Sequence, residues 1–218
     1  MTGFFDSGMG GINTALEFKR LMPRESLLLL TDYGRAPFGD RTDSEIVELA
    51  EDNIFRLAAA GAERVLIACC TVSSLYGRLS REARRIAIPI VTPTARAAEE
   101  ASQGRRIAVM ATEATVRSHA FRRAAVTCHV CEIATPELVR LAEGCDPECG
   151  AADGIIASAV EKVAKTGADT VVLGCTHFHS LEGEIAREAK KHGITKIISS
   201  AREGARELYR ILKQNGRA

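Results

Sequence analysis

Two cysteines occupy matching places in this sequence of 218 residues, one in Cys69-Cys70-Thr71 and one in Cys175-Thr176-His177. The run before the first, Gly61-Ala62-Glu63-Arg64-Val65-Leu66-Ile67-Ala68, resembles Gly167-Ala168-Asp169-Thr170-Val171-Val172-Leu173-Gly174 before the second, at an offset of 106 residues. The same offset sets Asp6 against Thr112. A free thiol has a pKa of about 8.5, so modest tuning lets it serve as base or acid near neutrality. A thiol at a strand-to-helix turn also meets the positive end of the helix dipole, which favours the thiolate. Two such groups on opposite faces of one stereocentre can remove a proton on one side and deliver one on the other, inverting configuration. Asp6 and His177, each just past an expected strand, can tune the thiols or relay protons. The hydroxyls of Ser7, Thr71, Thr112, Thr115 and Thr176 are suitable donors to developing charge.

Short apolar runs separated by amphipathic stretches predict the elements that hold these groups. Strands are expected at Gly3–Phe5, Ser26–Leu30, Arg64–Ala68, Ile88–Val91, Ile107–Ala111, Thr127–Ile133, Asp169–Leu173 and Lys196–Ile198. A helix is expected over Asp43–Ala60, opened by the capping-box spacing of Thr42 and Glu45 and stopped by Gly61. Its apolar side comprises Ile46, Leu49, Ile54 and Leu57. This alternation predicts an α/β fold with parallel sheets flanked by helices. The repeat predicts two similar domains related by a pseudo-twofold axis, 1–93 plus 200–218 and 94–199, with the site in the cleft between them. Ligands of open parallel sheets bind beyond the carboxyl ends of the strands, where these polar residues fall. Gly8, Gly10 and Gly11 lack the spacing of a nucleotide loop and are read as a carboxylate-binding turn at a helix start.

Composition narrows the partners. Lys plus Arg number 29 against 28 Asp plus Glu, a net charge of +1, which argues against nucleic acid. Trp is absent and aromatics are 5%, too few for stacking platforms. No apolar run reaches the roughly 18–20 residues of a membrane span, and Met1-Thr2-Gly3 carries no secretory pattern. A cytoplasmic protein with mostly reduced thiols is expected.

Five motifs in order, Phe5-Asp6-Ser7-Gly8-Met9-Gly10-Gly11, Arg35-Ala36-Pro37-Phe38-Gly39, Ala68-Cys69-Cys70-Thr71, Ala111-Thr112-Glu113-Ala114-Thr115-Val116-Arg117-Ser118 and Leu173-Gly174-Cys175-Thr176-His177, resemble the glutamate racemases of the aspartate/glutamate racemase superfamily. The resemblance implies a cofactor-independent racemase without a metal. It implies Cys69 and Cys175 as acid/base thiols with Asp6 and His177 as helpers. Ser7, Thr71, Thr112, Thr115 and Thr176 become substrate contacts, with Pro37, Phe38 and Gly39 as the flanking loop. A small anionic amino acid, a homodimer and a place in peptidoglycan biosynthesis are further implications.

The chain departs from that pattern at Cys70, where an Asn is usual, and at Phe38, where a Tyr is usual. A thiol cannot reproduce the donor and acceptor pair of an amide, so Cys70 bears on which substrate binds. Aspartate or another small diacid as substrate, and an inactive racemase-like binding protein, stand as alternatives. The alternative for the thiols themselves is a pair of small buried hydrophobes. Glu143 matches an acidic family position loosely, His179 is expected at the surface or cleft rim, and Arg81–Arg85 and Arg117–Arg123 as solvated helix faces or an interface. Cys128, Cys131, Cys145 and Cys149 have a spacing that allows zinc or a disulfide, with free thiols favoured.

Overall fold

Strands β1 (Thr2–Asp6), β2 (Leu27–Thr31), β3 (Arg64–Ile67) and β4 (Ala87–Pro89) form one parallel sheet in the order β2-β1-β3-β4. Strands β5 (Arg106–Ala111), β6 (His129–Ala134), β7 (Thr170–Leu173) and β8 (Lys196–Ser199) form a second, in the order β6-β5-β7-β8. The second order is the first shifted by four strands, so the internal repeat is a repeat of topology. The computed structural model describes residues 1–144 and 151–216.

Helices α1 (Gly11–Leu21), α2 (Asp43–Ala59), α3 (Cys70–Ser73), α4 (Arg81–Ile86) and α5 (Val91–Ala101) accompany the first sheet in sequence. With the second run α6 (Glu113–Ser118), α7 (Ala120–Ala124), α8 (Pro136–Ala142), α9 (Ala151–Ala164), α10 (Glu182–Lys191) and α11 (Ser200–Gln214). Helix α2 starts as its sequence specifies. The Thr42 hydroxyl accepts from the Glu45 amide at 3.3 Å, and Glu45 Oε2 accepts from the Thr42 amide at 2.9 Å. Gly61, at a φ of 95°, follows its end. Ile46, Ile54 and Leu57 are buried, in one cluster with Phe5, Val65 and Ile67.

Helix α11 returns to the first sheet. Its Ala205, Leu208 and Leu212 share a buried cluster with Phe4, Phe18 and Leu66. The Phe4 and Phe18 rings pack at 5.3 Å between centroids and an interplanar angle of 56°. A third cluster spans both sheets, joining Cys70, Ile90, Val91 and Ala95 to Ile107, Val109 and Val172. The two halves are thus joined through packed core beneath the cleft.

Most element boundaries differ from expectation by one or two residues, and three of the differences bear on later points. The strand expected at Ile88–Val91 ends at Pro89, and Val91 opens α5. Apolar Ile90 and Val91 read as strand, but Pro93 falls in the first helical turn, where its missing N–H costs nothing. Strand β2 ends one residue later than expected, at Thr31. Strand β6 begins at His129, which leaves Cys128 outside it and partly buried against the core. Cys131 Sγ lies 3.5 Å from His129 Nε2, and Cys128 and Cys131 are both free thiols. Cys145 and Cys149 lie outside the described residues. Among the described residues there is no group of three or more side chains able to hold a metal ion, and no helix long and apolar enough to cross a membrane.

Candidate active site

In each sheet the first strand connects outward to one neighbour while the third lies on its other side, which opens a crevice at the carboxyl ends of that pair. The β1/β3 crevice holds Asp6, Ser7 and Cys69; the β5/β7 crevice holds Thr112 and Cys175. Both crevices face one cleft of about 720 Å³, lined by Asp6, Ser7, Cys69, Thr71, Thr112, Cys175, Thr176 and His177 among others. Ser7 Oγ stands 3.1 Å from Cys69 Sγ, and His177 Nδ1 stands 3.5 Å from Cys175 Sγ. Each thiol therefore has its own polar neighbour.

Asp6 is wholly buried and reaches across the cleft floor. Its Oδ1 accepts from the Gly8 amide at 2.7 Å, and its Oδ2 accepts from the Thr176 hydroxyl at 3.1 Å. Asn13 adds a second tie between the halves, donating from Nδ2 to the Thr176 carbonyl at 3.0 Å. The glycine-rich turn differs from expectation here. The carboxylate at the start of α1 is the chain's own Asp6, and the glycines serve close packing. A Cβ on Gly11 would meet Asp6 Cβ at 2.6 Å, and one on Gly10 would meet the His177 backbone nitrogen at 2.9 Å.

Burial sets the electrostatics. It raises the Asp6 carboxyl above its ordinary value, opposed by His177, the Gly8 amide and the Thr176 hydroxyl. It pushes the Cys69 thiol up to about 11, with the Asp6 charge adding and Ser7 opposing. Cys175 is raised well above the ordinary thiol value, by burial first and then by its proximity to Cys70. Cys70 is raised further than Cys69, again by burial. Burial thus favours the thiol over the thiolate at these sulfurs, so proton abstraction needs a neighbouring group that favours the thiolate.

The walls come from four segments. Thr71, Thr112 and Thr115 form a hydroxyl triangle, with 3.0 Å from Thr71 to Thr112 and 2.9 Å from Thr112 to Thr115. Thr71 and Thr112 line the cleft; Thr115 lies behind them, 1% exposed, and braces both. Pro37, Phe38 and Gly39 also line the cleft. The Phe38 ring is buried against Phe5, at 6.4 Å between centroids, and anchors the loop by packing. Arg117 Nη2 donates to the Gly39 carbonyl at 3.3 Å, which ties this loop to α6 of the other half. Part of the basic run Arg117–Arg123 thus acts between the halves, whereas the arginines of α4 stay exposed.

Cys70 also lines the cleft, although it is 3% exposed and packs into the core shared by both sheets. Glu143, at the end of α8, brings Oε1 within 3.2 Å of His177 Nε2, close enough for an ion pair but off the axis of a hydrogen bond. His179 lies outside the cleft, its Nδ1 2.9 Å from Ser199 Oγ and its Nε2 3.2 Å from Glu17 Oε1. Of the cleft face of α8 the expectations named only Glu143. Pro136, Val139, Arg140 and Glu143 line the site at helical spacing, a pattern legible in the sequence once α8 is recognised.

Residues 31–208 match the family model described as Asp/Glu/Hydantoin racemase. The chain belongs to that family. The racemase is 33% identical to the glutamate racemase of a Picosynechococcus species over 94% of its own length and 76% of that protein's. It is 34% identical to the glutamate racemase of Desulforudis audaxviator over 85% of its length and 70% of that protein's. A crystal structure of a glutamate racemase isoform from Bacillus anthracis superposes with a TM-score of 0.91 at 30% identity, covering 100% of this chain and 83% of that one. An aspartate racemase from Picrophilus torridus, at a TM-score of 0.69 and 16% identity, shares the fold.

Proposed function

We propose that the racemase interconverts L- and D-glutamate without a cofactor, Cys69 and Cys175 acting on opposite faces of Cα. The observation that supports this most is the pair of equivalent buried thiols at the ends of β3 and β7, each beside its own polar partner, in one cleft. The glutamate racemases among the relatives, at 33% and 34% identity, support the choice of substrate.

The substrate itself supplies a charge that favours the thiolate. Its α-ammonium beside the sulfurs opposes the desolvation that holds them protonated and favours one thiolate, whose proton passes to bulk water. That thiolate takes the Cα proton, and the opposite thiol delivers its own proton to the other face. The pair of sulfurs has then exchanged roles, and the substrate has been inverted with no net change in protons. Thr71, Thr112 and Ser7, with backbone N–H groups around them, stabilise carbanionic charge. Asp6 and His177 hold the two turns in register and tune the sulfurs by charge. Thr176 positions Asp6, Thr115 positions the hydroxyl pair, and Cys70 stands by the substrate amino-acid group. Pro37, Phe38 and Gly39 flank the side chain.

In this reading the lobes are residues 1–93 plus 200–218 and residues 94–199. The protein is a cytoplasmic homodimer that supplies D-glutamate for peptidoglycan.

The test is a substrate panel. L-Glutamate, L-aspartate, L-glutamine and L-alanine are each incubated with purified protein, and optical rotation is followed. Glutamate is expected to lose rotation at least about tenfold faster than any other member, the discrimination that one satisfied charge provides. Faster turnover of aspartate would move the assignment to that substrate. Inertness of the whole panel at high enzyme concentration would refute racemisation of these acids.

A further inference from the structure

The turn Thr176–Leu181 directly follows Cys175 and carries His177. Its placement against the first half therefore sets where the second thiol stands relative to the first. Helix α1 holds this turn at two places. Asn13 donates from Nδ2 to the Thr176 carbonyl at 3.0 Å. Four residues on, Glu17 brings Oε1 within 3.2 Å of His179 Nε2. Residues four apart share one face of a helix, about 6 Å apart along its axis. A single tie leaves the turn free to pivot about it, whereas two ties fix its orientation.

His179 is gripped from its other side as well. Its Nδ1 stands 2.9 Å from Ser199 Oγ and 3.2 Å from Glu182 Oε2. Ser199 closes β8, where the chain leaves the second sheet and enters α11. Arg202 of α11 donates to both oxygens of Glu182, at 2.9 and 2.8 Å. Helix α11 in turn packs Ala205, Leu208 and Leu212 into the core of the first half. One imidazole ring thus touches α1, the start of α10 and the end of β8. Glu17 also pairs with Arg20 and, at 4.0 Å, with Arg202. The His179 and Glu17 side chains are 16% and 12% exposed, so their contact is screened less than a surface pair.

We propose that His179 is a positioning residue for racemisation: through Glu17 it fixes the turn that carries Cys175 and His177 against α1. The proposal rests on the two-thiol reading of the cleft. His179 lies outside the cleft and acts through the turn, so its loss costs rate and leaves substrate affinity in place.

The test compares wild type with His179→Ala, Glu17→Ala, the double variant and His179→Gln. For glutamate, H179A is expected to lower kcat about tenfold with KM within about twofold. That is less than the roughly 100-fold of a full 1 Å displacement, because Asn13 still holds Thr176. H179Q, whose amide can donate to Glu17, is expected to recover kcat to within about threefold of wild type. Adding E17A to H179A is expected to cost no more than about twofold further, since the tie is already broken. Amide hydrogen exchange followed by mass spectrometry is expected to quicken about tenfold in the turn Thr176–Leu181 of H179A and E17A, and to stay unchanged in α2. His192→Ala, just past the end of α10 and 4.0 Å from Glu188, is expected to match wild type in both readouts. Wild-type kcat in H179A, or independent losses that multiply in the double variant, overturns the proposal. Faster exchange throughout the chain also overturns it, by making His179 a residue of general stability. Faster exchange confined to the turn, in a protein that racemises no amino acid, would instead defeat the functional reading and leave the tie between the halves in place.

Discussion

Replacing either Cys69 or Cys175 with Ala is expected to lower the rate of racemisation by about 1,000-fold or more, while the protein remains folded. Loss of one positioned acid or base removes roughly 10²–10⁴ of a rate. Here each sulfur is needed in both roles during successive turnovers, so either deletion stops the cycle. The structural cost is small. Both side chains are small and buried, at 6% and 7% exposure, and Ala leaves most of each volume filled. Thermal unfolding followed by circular dichroism is therefore expected to shift by only a few degrees. Cys128, outside the cleft and against the core of the second sheet, provides the comparison. Cys128→Ala is expected to keep the rate within about twofold. Turnover within tenfold of wild type in both cleft variants would remove the two-thiol assignment.

Gly10→Ala is expected to lower kcat by roughly 100-fold although it adds a single methyl group. Gly10 has an ordinary helical φ of −61°, so the glycine is required by space and not by backbone conformation. Its Cβ would stand 2.8 Å from His177 Nδ1 and 2.9 Å from the His177 backbone nitrogen, and closer still to Thr176 Oγ1. None of these can move alone. Thr176 donates to Asp6, and His177 Nδ1 lies beside Cys175 Sγ. The added carbon therefore forces apart the start of α1 and the turn after β7, the place where the two halves meet under the cleft. Overpacking of this kind costs about 1–3 kcal/mol. A displacement of about 1 Å at the reacting groups costs about 100-fold in rate. Gly183→Ala, in α10 with nothing within 4 Å of the added atom, is expected to be neutral or slightly stabilising. A G10A protein with wild-type kcat and melting temperature would show that the two halves do not need this approach.

The thiol pair was legible in the sequence because its signal repeats. Cys69 and Cys175 end equivalent strands, and the 106-residue offset maps β1 and β3 onto β5 and β7. The start of α2 was legible because a capping box is local chemistry, with Thr42 and Glu45 three residues apart. Contacts between distant segments were not legible. Asp6 and Thr176 are 170 residues apart, and no pattern in either segment announces that one hydroxyl satisfies the other's carboxylate. For the same reason the glycine-rich turn read as a site for an external carboxylate, whereas its amide at Gly8 is already occupied by Asp6. The β4 boundary failed because Ile90 and Val91 suit a strand as well as a buried helix start, and burial under α11 decided between them. Glu143 was read only as a loose match to an acidic family position, and Arg140 was not singled out. Only the packing of α8 at the cleft puts that helix face among the lining residues.

The most direct measurement is the position of deuterium after a brief incubation of L-glutamate with the racemase in heavy water, stopped at low conversion. Thiols exchange with solvent, so a sulfur that delivers to the opposite face places deuterium on Cα of the D-glutamate formed. The unreacted L-glutamate is expected to keep its protium, because the sulfur on its own face only removes. D-Glutamate carrying protium at Cα, or L-glutamate labelled as fast as its enantiomer, would contradict a proton path that runs from one cysteine to the other.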